Sequence, residues 1–348
     1  MPDVWHPNGR NTVLRTSSFR VVLPVLVGLL TLAVSPAQAQ SSRRSKAKPQ
    51  PSIARKAQSA RARAVATARE MADTTVPRYK VDASGDLVPD LRAAAAIIYN
   101  PHTNEILWEE NSQDQRSIAS ITKVMTATVF LENNPDLSQP VTIARSDVYA
   151  ASTTKLILND KVTTDDLLHL LLIASDNAAA RALARVSPQG SVGFIQRMNE
   201  KAIELGLQST HYADPSGLLS DNVSSAYDMA RLIAHASADE RISSIMRTPE
   251  YTIQTKRRPI AFRSTDHLLG RADIDVRAAK TGFISKSGYC LATLLRLPQG
   301  GQEVAVVVLG ARSNAARFME TQNLFNWLSA KASTVFATRA PIGISQQQ

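Results

Sequence analysis

The chain has 348 residues, 44% of them hydrophobic, which is enough for a sizeable core in one large domain or two small ones and places it among globular proteins. Its formal net charge is +10, yet residues 41–69 hold nine Lys/Arg and no acid, whereas residues 70–348 hold 28 Lys/Arg against 29 Asp/Glu. The part with a core is therefore near neutral, and nucleic acid is not an expected partner.

The first 39 residues have the layout of a secretory signal: Arg10, Arg15 and Arg20, an apolar run over 21–34, then Ala37-Gln38-Ala39 as a small-x-small cleavage site. Export to the periplasm or cell envelope is expected, with an uncleaved anchor as the alternative. Residues 40–86 read as a basic, disordered linker because they show no apolar stripe. Their other reading is a tether, through residues 41–69, to anionic membrane or wall polymer.

A hairpin is expected next, with strands over 93–99 and 105–108 about the turn residues Asn100-Pro101-His102-Thr103-Asn104. It feeds a helix that starts at Ser120 and stops near Asn133-Asn134-Pro135, so crowded with apolar residues that it must be buried on most sides. Thr163-Thr164-Asp165-Asp166 caps a helix over 167–173, broken at Ser175. Helices follow over 178–186 and 192–205, the latter stopping at Gly206, and over 225–236. The pattern then turns to strands over 251–255, 260–263, 276–281, 289–297 and 304–310, and a helix over 314–328 ends the domain. The expected fold class is α/β of the α+β type: an antiparallel sheet built from both chain ends, flanked by helices, with a helical insert. The domain is expected over 87–330 and a flexible tail over 331–348. Cys290, alone and inside an apolar strand, reads as a buried hydrophobe.

Ser120 and Lys123 stand three apart where a loop enters a helix, so the amine can reach the hydroxyl. Free N–H groups and the positive end of the helix dipole also suit a nucleophile that must build up negative charge. Ser120-Ile121-Thr122-Lys123, Ser175-Asp176-Asn177 and Lys280-Thr281-Gly282 occur in the order S-x-x-K, S-D-N, K-T-G. Each has a competitor: Ser45–Lys48 and Ser152–Lys155 for the first, Ser220–Asn222 for the second, and Lys286–Gly288, as K-S-G, for the third. Context prefers Ser120 at an apolar helix start, Ser175 between two apolar helices, and Lys280 on a strand whose Gly282 lets a ligand backbone come close.

With these motifs, residues 90–330 resemble the low-molecular-weight penicillin-binding proteins, the D-alanyl-D-alanine carboxypeptidase/endopeptidase family. Lys280-Thr281-Gly282-Phe283, Gly288-Tyr289-Cys290-Leu291 and Asp214-Pro215-Ser216-Gly217-Leu218 before Asn222-Val223-Ser224 resemble the DD-endopeptidase branch. So does the segment 262–268, with Ser264 and Asp266 where that branch has asparagines. The resemblance implies a β-lactamase/DD-peptidase-like fold, peptidoglycan peptides as substrate and β-lactam antibiotics as covalent inhibitors. Ser120 would form the acyl-enzyme, a neutral Lys123 would take its proton, and Ser175 would relay a proton to the leaving amine. Asn177, Lys280, Thr281, Gly282 and Phe283 would bind substrate, with the N–H groups of Ser120 and Phe283 as oxyanion hole. Lys280 is the expected second cation that lowers the pKa of Lys123.

DD-carboxypeptidase activity is the alternative. A class A β-lactamase would need a deacylating glutamate, for which Glu204 is a weak match, and a non-catalytic envelope-binding module ranks last. No cofactor is expected, and the six histidines show neither H-E-x-x-H nor H-x-H spacing for a metal.

Overall fold

The computed structural model describes residues 76–298 and 301–337, together with Arg61, Ala62 and Val65. The expected signal segment, nearly all of the basic leader, Ser45–Lys48 and the last residues of the expected tail lie outside the described residues.

Two boundaries move outward. β1 (Tyr79–Val81) pairs with β2 (Leu87–Pro89) inside and beside the stretch expected to be linker, because the Asp82 carboxylate organises the turn by accepting from the N–H groups of Ser84 and Asp86. β3 (Ala95–Asn100) and β4 (Glu105–Glu110) form the expected hairpin, and the short strand β5 (Arg116–Ser117) leads to a 3₁₀ turn (Ala119–Ile121) and α1 (Thr122–Leu131). Nine of the ten residues of α1 are buried, as its unstriped apolar sequence requires.

After β6 (Pro140–Thr142), α2 (Arg145–Val148) and β7 (Lys161–Thr163), α3 (Thr164–Leu172) begins in a capping box. Thr163 Oγ1 accepts from the N–H of Asp166 at 3.0 Å, and Asp166 Oδ2 accepts from the N–H of Thr163 at 2.8 Å. α4 (Asn177–Val186), capped by Asp176, and α5 (Gly190–Glu204) continue the helical insert. β8 (Val223–Ser224) pairs with β5, α6 (Ala226–Ser237) is capped by Ser225, and α7 (Glu240–Met246) is a short helix with no stripe to announce it. β9 (Glu250–Gln254) and β10 (Pro259–Arg263) make a separate hairpin.

β11 (Asp275–Ile284), β12 (Gly288–Arg296) and β13 (Glu303–Ala311) join β3 and β4 in one antiparallel five-stranded sheet of order β11-β12-β13-β3-β4. Both chain ends supply the sheet, as expected. α8 (Asn314–Ala337) packs on β13 and β12 and runs seven residues past the expected limit of the domain at 330. One face of the sheet meets the helical insert and the other meets α8, so the sheet separates two apolar clusters. Among the described residues no helix is long and apolar enough to cross a membrane.

The register of β11 decides which cluster its side chains face. Val276 pairs with Leu295 on the α8 side, but Ala278 pairs with Leu294 on the insert side. Arg277 is the extra residue of a bulge there, and it reverses the alternation. Lys280, two residues beyond Ala278, is thereby aimed at the helices.

Thr163→Ala removes the hydroxyl half of the capping box and should cost about 1 kcal/mol. The midpoint of urea unfolding should fall while the slope of the transition stays constant.

Candidate active site

Ser120 sits in the 3₁₀ turn, held from behind by β8: the Ile118 N–H donates to Asn222 O at 3.1 Å, and Ser117 pairs with Val223. Ala119 adopts φ +49°, which tightens the entry into α1. The turn is so closely packed that its neighbours must be glycine. A Cβ on Gly217, already at φ +79°, would stand 2.0 Å from Ala119 O, and one on Gly282 of β11 would stand 2.7 Å from Ile118 O. The strand therefore lies backbone to backbone against the serine turn.

Lys123 is fully buried one helical turn later. Its Nζ donates to Ser120 Oγ at 2.9 Å, Asn177 Oδ1 at 2.6 Å and Ser216 O at 2.6 Å. Burial holds its pKa down to about 7 against the opposing pull of Asp176 and Asp214, with the charge of Arg181 adding to the depression. Lys280, the expected neighbouring cation, stands close enough for the two amines to depress each other. Lys280 is itself pushed well below the usual lysine range, first by burial and then by the charges of Lys123 and Arg317.

Ser175 lies between α3 and α4 at φ +58°, a left-handed conformation unusual for serine. The bend is fixed on both sides. Asp176 donates its N–H to Leu170 O at 3.0 Å, while its carboxylate accepts from the N–H groups of Ala179 and Lys155. Lys280 Nζ reaches across from β11 to donate to Ser175 Oγ at 2.8 Å and to Thr281 O at 2.9 Å. Asn177 turns its amide so that Nδ2 donates to Ala151 O at 2.7 Å, leaving Oδ1 to Lys123.

The cleft above these groups has a volume of about 550 Å³ and is lined by Ser120, Ser175, Asn177, Thr281, Gly282 and Phe283, among others. Lys123 and Lys280 lie beneath it. Thr281 Oγ1 pairs with Thr265 Oγ1 at 2.6 Å, and the half-exposed Phe283 ring stacks on Tyr289 with centroids 4.2 Å apart. All the expected site residues thus meet in one place.

The competitors do not make a second site. Asn222 is buried in the loop of the Asp214 turn, and Lys286 stands in the turn between β11 and β12. Ser152 does line the cleft, but at φ +60° in a loop without a helix start. Glu204 is ion-paired with Arg197 and Lys201 at the end of α5, its carboxyl held down to about 2 by hydrogen bonds from Arg197 and Lys201, away from the cleft. Among the described residues no His/Cys/Asp/Glu group could hold a metal ion.

Three contributors escaped the sequence reading. Ser216 supplies a carbonyl to Lys123, positioned because the Asp214 carboxylate accepts from Ser216, Gly217, Leu219 and Asn222. Asp-Pro-Ser-Gly signals a turn, and a turn carbonyl as ligand to an amine has no side-chain signature. Buried Arg317 of α8 also lines the cleft, and it donates to Gly282 O at 3.0 Å and Cys290 O at 3.2 Å, tying β11 to β12. Thr265, on the resemblance segment, supplies the hydroxyl beside Thr281.

A sequence profile of the family described as D-alanyl-D-alanine carboxypeptidase matches residues 82–313. The chain is 32% identical over 259 residues to a D-alanyl-D-alanine endopeptidase of Pseudomonas aeruginosa, covering 73% of this chain and 83% of that protein. It is 32% identical over 244 residues to the D-alanyl-D-alanine endopeptidase of Escherichia coli, covering 69% and 78%. The crystal structure of a Streptomyces DD-transpeptidase superimposes with a TM-score of 0.65 at 30% identity, over 70% of this chain and 98% of that one.

Gly217→Ala should lower stability by at least about 3 kcal/mol, because left-handed strain and a backbone clash add. Denaturant unfolding would read that loss, and the displaced Ser120 turn should react with serine-directed acylating reagents far more slowly than wild type.

Proposed function

The chain belongs to the D-alanyl-D-alanine carboxypeptidase family of serine peptidases, and on that footing we propose that it is a DD-endopeptidase, cutting D-Ala-containing cross-links of peptidoglycan through an acyl-enzyme on Ser120. It is a serine D-alanyl-D-alanine hydrolase, and peptidoglycan peptides and β-lactams fit its cleft as substrate and acylating inhibitor. The observation that carries the mechanism is the buried Lys123 amine bonded to Ser120 Oγ at 2.9 Å.

With a pKa of about 7, Lys123 is neutral in about three quarters of molecules at pH ~7.5, against about 0.1% for an ordinary lysine. Lys123 takes the Ser120 proton as Oγ attacks the carbonyl carbon of the D-Ala peptide bond. The N–H groups of Ser120 and Phe283 receive the developing oxyanion, an interaction typically worth about 3 kcal/mol per donor. Lys123 gives that proton to the leaving amine through Ser175, whose hydroxyl is held by Lys280, and is neutral again for the next step. Water then hydrolyses the ester with Lys123 as base. Asn177 holds Lys123 and offers its amide side to the substrate backbone. Lys280 and Thr281 take the polar end of the substrate, and a carboxylate there would oppose the burial and the neighbouring cations that push Lys280 below the usual lysine range.

The endopeptidase preference follows the names of the Pseudomonas and Escherichia relatives. DD-carboxypeptidase activity, the family's own description, is the second reading. The site of action is the cell envelope, reached by the signal segment at 1–39, with residues 41–69 as contact to anionic polymer.

Ser120→Ala should form no covalent adduct with a labelled penicillin, read by intact mass; normal labelling would move the nucleophile elsewhere. The acylation rate should rise about tenfold from pH 6 to pH 8, because only neutral Lys123 is a base and its midpoint is about 7. Purified muropeptide dimers should yield monomers, whereas a carboxypeptidase would only shorten them by D-Ala.

A further inference from the structure

The segment 151–155 and the hairpin β9–β10 enclose a groove of about 1,020 Å³ that opens into the catalytic cleft, the two sharing Thr153, Ala174 and Thr265 as a common wall. The far part of the groove is lined by Lys155, Tyr251 and Arg263. This wall is fastened to the catalytic turn: Asn177 donates from its N–H to Thr153 O at 3.0 Å and from Nδ2 to Ala151 O, and Lys155 N–H donates to Asp176 Oδ2 at 2.6 Å. On the other side, Thr265 N–H donates to Ile173 O at 3.1 Å, so β10 enters the site at a fixed distance.

The groove is cationic. The Lys155 ammonium pairs with no carboxylate among the described residues. Arg263 pairs only with Glu250, and both side chains are largely in water, at 84% and 66% exposure, where such a pair is worth little. Outside the groove lining, in the turn of the hairpin, Arg258 donates to Lys155 O at 2.9 Å and Arg257 to Leu158 O at 3.4 Å, tying the hairpin to the opposite wall. Glu250 is the one acid that lines the groove.

A cross-link presents two peptide strands that diverge from the scissile bond. The catalytic cleft has the volume of a pocket for one small ligand. We infer that the adjoining groove seats the second strand and takes it as an anion, Lys155 and Arg263 receiving its free carboxylates. This assignment rests on the endopeptidase reading and adds a specificity surface to it. The competitor motif Ser152–Lys155 thereby acquires a use: Ser152 lines the cleft and Lys155 the groove, on one short segment.

The test uses the full chain and two substrates, a muropeptide dimer with free carboxylates and the same dimer amidated only at the carboxylates of the second strand remote from the scissile bond, so that the carboxylate received by Lys280 and Thr281 is unchanged. Amidation should lower wild-type kcat/KM about tenfold, mostly through KM. Lys155→Gln/Arg263→Gln should lose that discrimination, Lys155→Arg should keep it, and all three proteins should be acylated by labelled penicillin at equal rates. Equal cleavage of the two dimers by wild type, or a double variant that still discriminates, overturns the groove assignment alone. A double variant that loses only its binding to anionic polymer or vesicles also overturns it, since the groove then serves the polymer. If wild type leaves both dimers intact while penicillin still labels Ser120, the endopeptidase reading fails and takes this assignment with it.

Discussion

One amine with nowhere to put a charge governs this structure. Lys123 is enclosed by a hydroxyl, an amide oxygen and a backbone carbonyl, none of which carries a full negative charge. Asp176 and Asp214 stand near enough to favour the ammonium, but Asp176 spends its oxygens on the N–H groups of Ala179 and Lys155, and Asp214 spends its own on donors of the 216–222 loop. Burial therefore outweighs them, and the amine becomes a base at neutral pH. A carboxylate in direct contact would have made it an ion pair and removed its basicity.

The rest of the fold can be understood as delivery of three oxygens and a second lysine to that point. The 3₁₀ turn before α1 brings the Ser120 hydroxyl, the start of α4 brings the Asn177 amide, and the Asp214 turn brings the Ser216 carbonyl. Each comes from a separate stretch of chain, and each stretch is fixed by its own short-range device: a 3₁₀ turn, an N-cap and a carboxylate-centred loop. The sheet then closes the site from the side, with Gly282 against the serine turn and Arg317, at the edge of the cleft, holding the Gly282 carbonyl.

Much of this was legible in the chain. Ser120, Ser175 and Lys280 separate from their competitors by local context, because helix starts, tight bends between apolar helices and strands leave periodic traces. Capping at Thr163 and Ser225 could be read for the same reason, whereas the Asp176 cap emerged only in the structure. What could not be read depends on partners distant in sequence. The bulge at Arg277 shows only when β11 is laid against β12, yet it sets the face to which Lys280 points. The Ser216 carbonyl has no side-chain identity, and Arg317 lies among ordinary helix residues until its contacts with Gly282 and Cys290 are seen. α7 and the 79–89 hairpin are too short for periodicity to reveal.

The sheet topology bears on when this chemistry can begin. β3 pairs with β13, as in Tyr99 with Ala305, so the sheet joins segments from opposite ends of the domain and waits for the last of them to be synthesised. The helical insert between them can gather earlier from near neighbours, but it holds only part of the base's environment. A chain that stops short of β11 therefore carries its serine and base without Lys280 or the Gly282 backbone that closes the site, and completion of the sheet doubles as the safety catch on the hydrolase.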